Sequence, residues 1–160
     1  MFVVLLLGCG GSLSDEQRRK LHEGMEDQKI IKLSDSEIVT ASLERGRAVY
    51  SAMENVDFAS VKLDSLERHY RVRIALITPG ASNALEIENQ LIEAYVAGAE
   101  AGSVQDNIQK LHQTNISDAY DSLVYTKPKL SPLPDGAVKV EGIWNIYLAK
   151  KDVIRSAGTD

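Results

Sequence analysis

The sequence predicts an α+β fold in which a small antiparallel sheet of three or more strands packs with helices, preceded by an N-terminal helix. Three observations carry that expectation. Ser-x-x-Gln and Ser-x-x-Glu patterns open helix-like segments at Ser14 and Ser34. The run Val72-Arg73-Ile74-Ala75-Leu76-Ile77-Thr78 has the length and β-branched content of a strand. Two further strand-like stretches, residues 122–127 and 137–149, flank a proline-rich connection closing on Pro134-Asp135-Gly136. No internal repeat or linker divides the chain, so one domain is expected over residues 34–157.

Taken in order, the Ser14–Gln17 box opens a polar segment, residues 15–28, whose apolar residues are Leu21 and Met25, one helical turn apart. The Ser34–Glu37 box opens a helix carrying Val39, Leu43, Gly46, Tyr50 and Met53 along one stripe. Gly46 in mid-helix costs about 1 kcal/mol against alanine, which suggests a close approach by another backbone. A third helix, residues 59–70, places Ala59, Leu63, Leu66 and Tyr70 on one face. After the strand, Pro79-Gly80 makes a turn and Asn83 with Glu86 caps a helix running to residue 101. That helix is apolar on much of its circumference (Ala84, Ile87, Leu91, Tyr95, but also Leu85, Ile92, Val96), which predicts a central position. Gly102 stops it. Residues 104–113 are expected as a short helix with Val104, Ile108 and Leu111 inward. Gly142 marks a bulge in the last strand.

The N-terminus carries a different message. Met1 to Leu7 are apolar, far short of the ~20 residues that span a bilayer. The run ends in Gly8-Cys9-Gly10-Gly11-Ser12, as a signal-peptide core ends at small residues. Leu6-Leu7-Gly8-Cys9 resembles the bacterial lipobox, in which the thiol is acylated and the peptide is cut before it. No basic residue precedes the run; the first is Arg18. The resemblance implies a signal peptide over residues 1–8 and a lipidated tether with the polar helix over residues 9–33. Cys9 would anchor the protein on the envelope membrane, facing the periplasm or the cell surface. Each buried methylene of the acyl chains contributes about 0.8 kcal/mol, and Gly-Gly-Ser lets a domain stand off the surface.

Composition excludes several functions. With a formal charge of −5 and no basic cluster of the kind that neutralises a phosphate backbone, no nucleic-acid partner is expected. A single cysteine rules out Cys-x-x-Cys metal sites, and His22, His69 and His112 lack metal-ligand spacing. No serine elbow pairs with a histidine and an acid, so no catalytic constellation is visible. Glu86, Glu88 and Glu93 read as solvated helix surface. The turn Thr78-Pro79-Gly80-Ala81-Ser82-Asn83 joins strand to helix without P-loop spacing and reads as a capped turn rather than an anion site. The candidate ligand-binding residues are His69, Arg71 and Arg73, a cationic cluster suited to an acidic ligand, together with Tyr95, Tyr125, Trp144 and Tyr147. In the last strand, Val138, Val140, Ile143, Asn145 and Tyr147 share one face beyond the bulge, and Trp144, Ile146 and Leu148 share the other. Both faces are partly apolar, which points to burial on both sides before it points to a pocket wall.

Three features between residues 35 and 154 resemble a family of small extracytoplasmic sensor domains of PAS-like architecture, some of which bind c-type haem. They are the helix with Glu44-Arg45-Gly46-Arg47, the segment Tyr70-Arg71-Val72-Arg73-Ile74 followed by the Pro79…Ser82-Asn83 turn, and Tyr125-Thr126-Lys127-Pro128 leading into Gly142-Ile143-Trp144-Asn145-Ile146-Tyr147-Leu148. The haem-binding members carry Cys-x-x-Cys-His after the segment resembling residues 125–128. Here Pro128 is followed by Lys129-Leu130-Ser131-Pro132-Leu133-Pro134, so no haem ligand carries over and no cofactor is expected. The resemblance implies a sensory, ligand-binding role, with a pocket between the sheet and the helix at residues 84–101. The competing expectation is an accessory or structural subunit of an envelope complex. Replacing Cys9 with serine is expected to release the protein from membranes in a fractionation assay; equal retention would overturn the lipobox reading.

Overall fold

The computed structural model describes residues 14–26, 33–82, 84–111, 122–134 and 136–158. Cys9, Asn83, His112 and Asp135 lie outside them, as do the side chains of Leu21, His22 and Met25. The chain divides into two units, residues 1–32 and 33–160. In the first, helix α1 (Asp15–Glu26) begins at the expected box: Gln17 N donates to Ser14 Oγ at 3.3 Å and Ser14 N donates to Gln17 Oε1 at 3.0 Å. No described helix is long and apolar enough to cross a membrane.

The second unit is α+β. Its elements are α2 (Asp35–Glu54), α3 (Ser60–Tyr70), β1 (Val72–Ile77), α4 (Glu86–Glu100), β2 (Asn107–Leu111), β3 (Ser122–Pro132), β4 (Val138–Ala149) and α5 (Lys150–Ala157). The four strands form one open antiparallel sheet in the order β1-β4-β3-β2. α2, α3 and α5 cover one face, meeting it through Val49, Tyr50, Met53, Leu63, Leu66 and Val153 against Leu123, Tyr125, Trp144, Ile146 and Leu148. On the other face α4 packs Leu91, Ile92 and Tyr95 against Ile77, Val140 and Ile143. β4 therefore alternates between two cores, which is why both its faces read as apolar.

Local chemistry explains most boundaries. Ser34 and Glu37 exchange both bonds of a capping box at the start of α2. The buried stripe of α2 is Ile38, Ser42, Gly46, Val49, Tyr50 and Met53, so Val39 and Leu43 of the expected stripe are only half-buried. The expected stripe skipped Ser42 as polar, yet Ser42 is buried because its hydroxyl donates to the Ile38 carbonyl at 2.6 Å. Gly46 does serve a close approach, though to a side chain: a Cβ there would lie 2.3 Å from Cγ of Tyr125. After α2 the chain turns through Asp57 and Phe58, both at positive φ. That left-handed turn is offset by packing, since the Phe58 ring stacks on Trp144 at 5.2 Å and meets Tyr50 edge-on at 5.7 Å.

Three expectations are corrected. Residues 107–111 form an edge strand on β3 and not part of a helix; a short helix is marginal alone, and pairing with β3 decides the outcome. β3 runs on through Pro128 to Pro132, past the expected end at residue 127, because the prolines sit beyond β2, where β3 has no second neighbour to receive an N–H. α4 starts at Glu86 with Leu85 as its N-cap residue, Leu85 N donating to Glu88 Oε2 at 2.7 Å, and it is one-sided, with Leu85 and Val96 exposed. The bulge is where Gly142 pointed. Lys129 faces Gly142 and Leu130 faces Val140, leaving Glu141 as the extra residue. A Cβ on Gly142 would lie 2.6 Å from the Ile77 carbonyl of β1.

At the outer edge of β1, Glu67 of α3 accepts a hydrogen bond from Ile74 N at 2.5 Å. Gly46→Ala is expected to destabilise the fold by about 1–3 kcal/mol through overpacking against Tyr125, more than the ~1 kcal/mol that alanine gains as a helix former. Urea denaturation checks the sign.

Candidate functional site

The cationic cluster read from sequence is partly assembled. α3 ends at Arg71, whose φ of 52° and ψ of 51° place it in the left-handed region, and its N–H donates to the Glu67 carbonyl. That conformation costs a non-glycine residue about 1–2 kcal/mol, yet an arginine occupies it. The turn brings Arg71 and His69 to one side of a concavity of about 260 Å³; α2 supplies Arg45, and α5 supplies Asp152, Arg155 and Ser156. Arg45 is held in place by donating to the Tyr70 carbonyl at 2.6 Å. Arg155 reaches Asp152 at 3.5 Å, the long end of an ion pair. Three guanidiniums and an imidazole thus line a recess with one carboxylate, on a chain of net charge −5. The local field attracts anions where the protein as a whole repels them, and guanidinium forks match carboxylate and phosphate oxygens.

Arg73 does not join them. One residue on from Val72 along β1 it lies on the opposite face of the sheet, in register with Tyr147, and its guanidinium sits 3.7 Å from the Tyr147 ring centroid. Tyr147 in turn donates to Glu88 Oε1, which also accepts from Asn145 Nδ2 at 3.0 Å. Glu88, expected on the surface, is 3% exposed. With Leu85 N on its second oxygen, the carboxyl is satisfied by donors from α4 and β4, as a buried acid requires. Burial, and then the bond to Glu88, push the Tyr147 phenol up, so it stays a donor. Asn145 Oδ1 is buried without a hydrogen-bond partner among the described residues.

The remaining aromatic candidates are engaged by packing and hydrogen bonds within the fold. Trp144 stacks on Phe58. Tyr95 shares a hydrogen bond with Thr126 Oγ1 at 2.7 Å, and burial raises its phenol. Tyr125 passes beneath Gly46 and donates to Asp106 Oδ2 at 3.0 Å; burial first, then Asp106, drive its phenol upward. Asp106 also receives the Arg47 fork at 2.7 and 2.9 Å, joining α2 to the start of β2. Between the sheet and α4, where a pocket was expected, Leu91, Ile92, Tyr95 and Glu88 are buried, and the Arg71 concavity lies elsewhere. Among the described residues no three His, Cys, Asp or Glu side chains gather as metal ligands.

Arg45, Asp152 and Arg155 belong to the concavity but were not singled out in the sequence. Arg45 carried a signal within Glu44-Arg45-Gly46-Arg47; the α5 residues carried none, because only the return of β4 brings them there. Comparison with family models, curated proteins and solved structures gives no match.

The Arg47 fork, followed by the Tyr125 bond, holds the Asp106 carboxyl below the usual range. A depressed acid stabilises the fold above its unfolded pKa and loses that contribution as pH falls through the folded value. Asp106→Asn is therefore expected to lower stability near neutral pH by about 1 kcal/mol, since Arg47 is half-exposed and screened. The deficit should shrink toward zero below the usual aspartate range of about 4. Urea melts of both proteins across that range check it.

Proposed function

We propose that this chain is a lipid-anchored envelope protein whose domain, residues 34–157, binds a small anion and does not transform it. The lipobox-like Leu6-Leu7-Gly8-Cys9 and its Gly-Gly-Ser tether support the anchor, and the resemblance to extracytoplasmic PAS-like sensor domains supports a sensory use of binding. The observation that carries the ligand reading is the concavity in which Arg45, His69, Arg71 and Arg155 face one carboxylate, Asp152. Its ligand class is a small carboxylate or phosphate, taken by guanidinium forks.

Arg71 is the informative position. Glycine there relieves the left-handed strain but removes a guanidinium, so stability and binding should move in opposite directions. An accessory-subunit role is the second reading, favoured by exposed Leu130, Leu133 and Val138 around the β3–β4 hairpin end. Native mass spectrometry of protein extracted from its own membranes separates the two, since it reports lipid, ligand and partner together.

In low salt, inorganic phosphate and succinate are expected to raise the melting temperature of the full chain saturably, as linkage requires. Arg71→Gly should stabilise the unliganded protein by up to about 1 kcal/mol while weakening phosphate or succinate binding about tenfold or more. Unchanged affinity in that variant would remove the anion reading.

A further inference from the structure

The Arg71 concavity holds one group that a plain anion leaves unserved. Asp152 lines it from α5, and its side chain is only 16% exposed. Among the described residues its one partner is Arg155, a turn further along the same helix, at 3.5 Å. A carboxylate so withdrawn from water ordinarily accepts several hydrogen bonds on its two oxygens. Asp152 therefore has acceptor capacity to spare at the wall of the recess. Its neighbours have the opposite need. The α3–β1 turn spends the backbone N–H of Arg71 on the Glu67 carbonyl, and the Arg71 guanidinium has no hydrogen-bond or ion-pair partner among the described residues. Arg45 spends one Nη on the Tyr70 carbonyl, which fixes the side chain and leaves the rest of its fork for a ligand. Donors that suit an anion thus line the same recess as an acid short of donors.

We propose that the ligand of this concavity is a small amino acid in its zwitterionic form, with its carboxylate on Arg71 and Arg45 and its ammonium on Asp152. The inference rests on the anion reading of the site and narrows it to one ligand class. A plain carboxylate or phosphate answers the guanidiniums but lies beside Asp152 with no donor to give it, and like charges set together at a binding surface cost affinity. A plain ammonium answers Asp152 and meets the arginines. A zwitterion satisfies both signs at once, and its ammonium brings three N–H donors to a carboxylate that lacks them. Size agrees with this class. The recess of about 260 Å³ falls below the ~300–1,000 Å³ of sites for drug-sized ligands, which suits a molecule of few heavy atoms.

The test is an NMR titration of the full chain, in low salt at neutral pH, with L-alanine, propionate (which lacks the ammonium) and L-alaninamide (which lacks the carboxylate). L-Alanine is expected to shift the amides of Arg71 and Asp152 saturably, at least about tenfold more tightly than propionate, with L-alaninamide weakest. Asp152→Asn should erase that preference, weakening L-alanine at least about tenfold while propionate binds as before or more tightly. An Asp152 that served the fold alone would weaken both. Propionate binding as tightly as L-alanine, or L-alanine shifts centred elsewhere, overturns the proposal and leaves the anion reading standing. No saturable shift with L-alanine, propionate, succinate or phosphate removes both. The comparison of L-alanine with propionate needs no variant, so it decides the matter even where Asp152→Asn unfolds the chain.

Discussion

β4 is buried on both of its faces, and the rest of the domain follows from that constraint. From Gly142 to Ile146 every residue is buried. Such a strand cannot rest against one helix layer and leave its other side to water. Trp144, Ile146 and Leu148 call for the layer of α2, α3 and α5; Ile143 calls for α4. The same alternation puts Asn145 and Tyr147 under α4, where an all-apolar helix would have left their polar atoms unpaired. Glu88 answers that need for the two donors, Asn145 Nδ2 and the Tyr147 hydroxyl. A buried acid on α4 and two polar side chains on β4 are thus one arrangement, in which removing any member leaves a desolvated group without its partner.

The α+β class, four of the five described helices and three of the four described strands could be read from the sequence, because capping boxes, apolar stripes and β-branched runs are local signals, whereas nothing announced α5. What escaped depends on distant partners. Residues 107–111 become a strand only when β3 is beside them. Ser42 is a core residue only because its hydroxyl returns to its own helix. α4 looks apolar all round, yet its Leu85 and Val96 stay outside, since a single sheet face receives it. Prolines in β3 argued for a connection, whereas the strand there has lost its outer neighbour and tolerates them.

The candidate site divides along the same line. His69, Arg71 and Arg73 are close in sequence and were grouped on that basis, but Arg71 ends α3 in the left-handed region, whereas Arg73 belongs to β1 and faces the side on which Tyr147 lies. Arg73 consequently covers the Tyr147 ring, while Arg71, just before the strand, stays with His69. The arginines that replace it come from α2 and α5, far away along the chain. Charge at this recess is therefore a property of the assembled fold, and it stands against the acidic character of the sequence taken whole.

The bond from Ile74 N to Glu67 bears on how copies of this domain behave when crowded together. An outermost strand ordinarily offers its amides as a template on which another chain can extend the sheet. Here one of those amides is already taken by a side chain from the preceding helix, and a newcomer would have to displace a carboxylate before its first contact formed. Growth of the sheet in that direction is discouraged by the fold itself, leaving neighbouring molecules to meet through side chains and not through shared backbone.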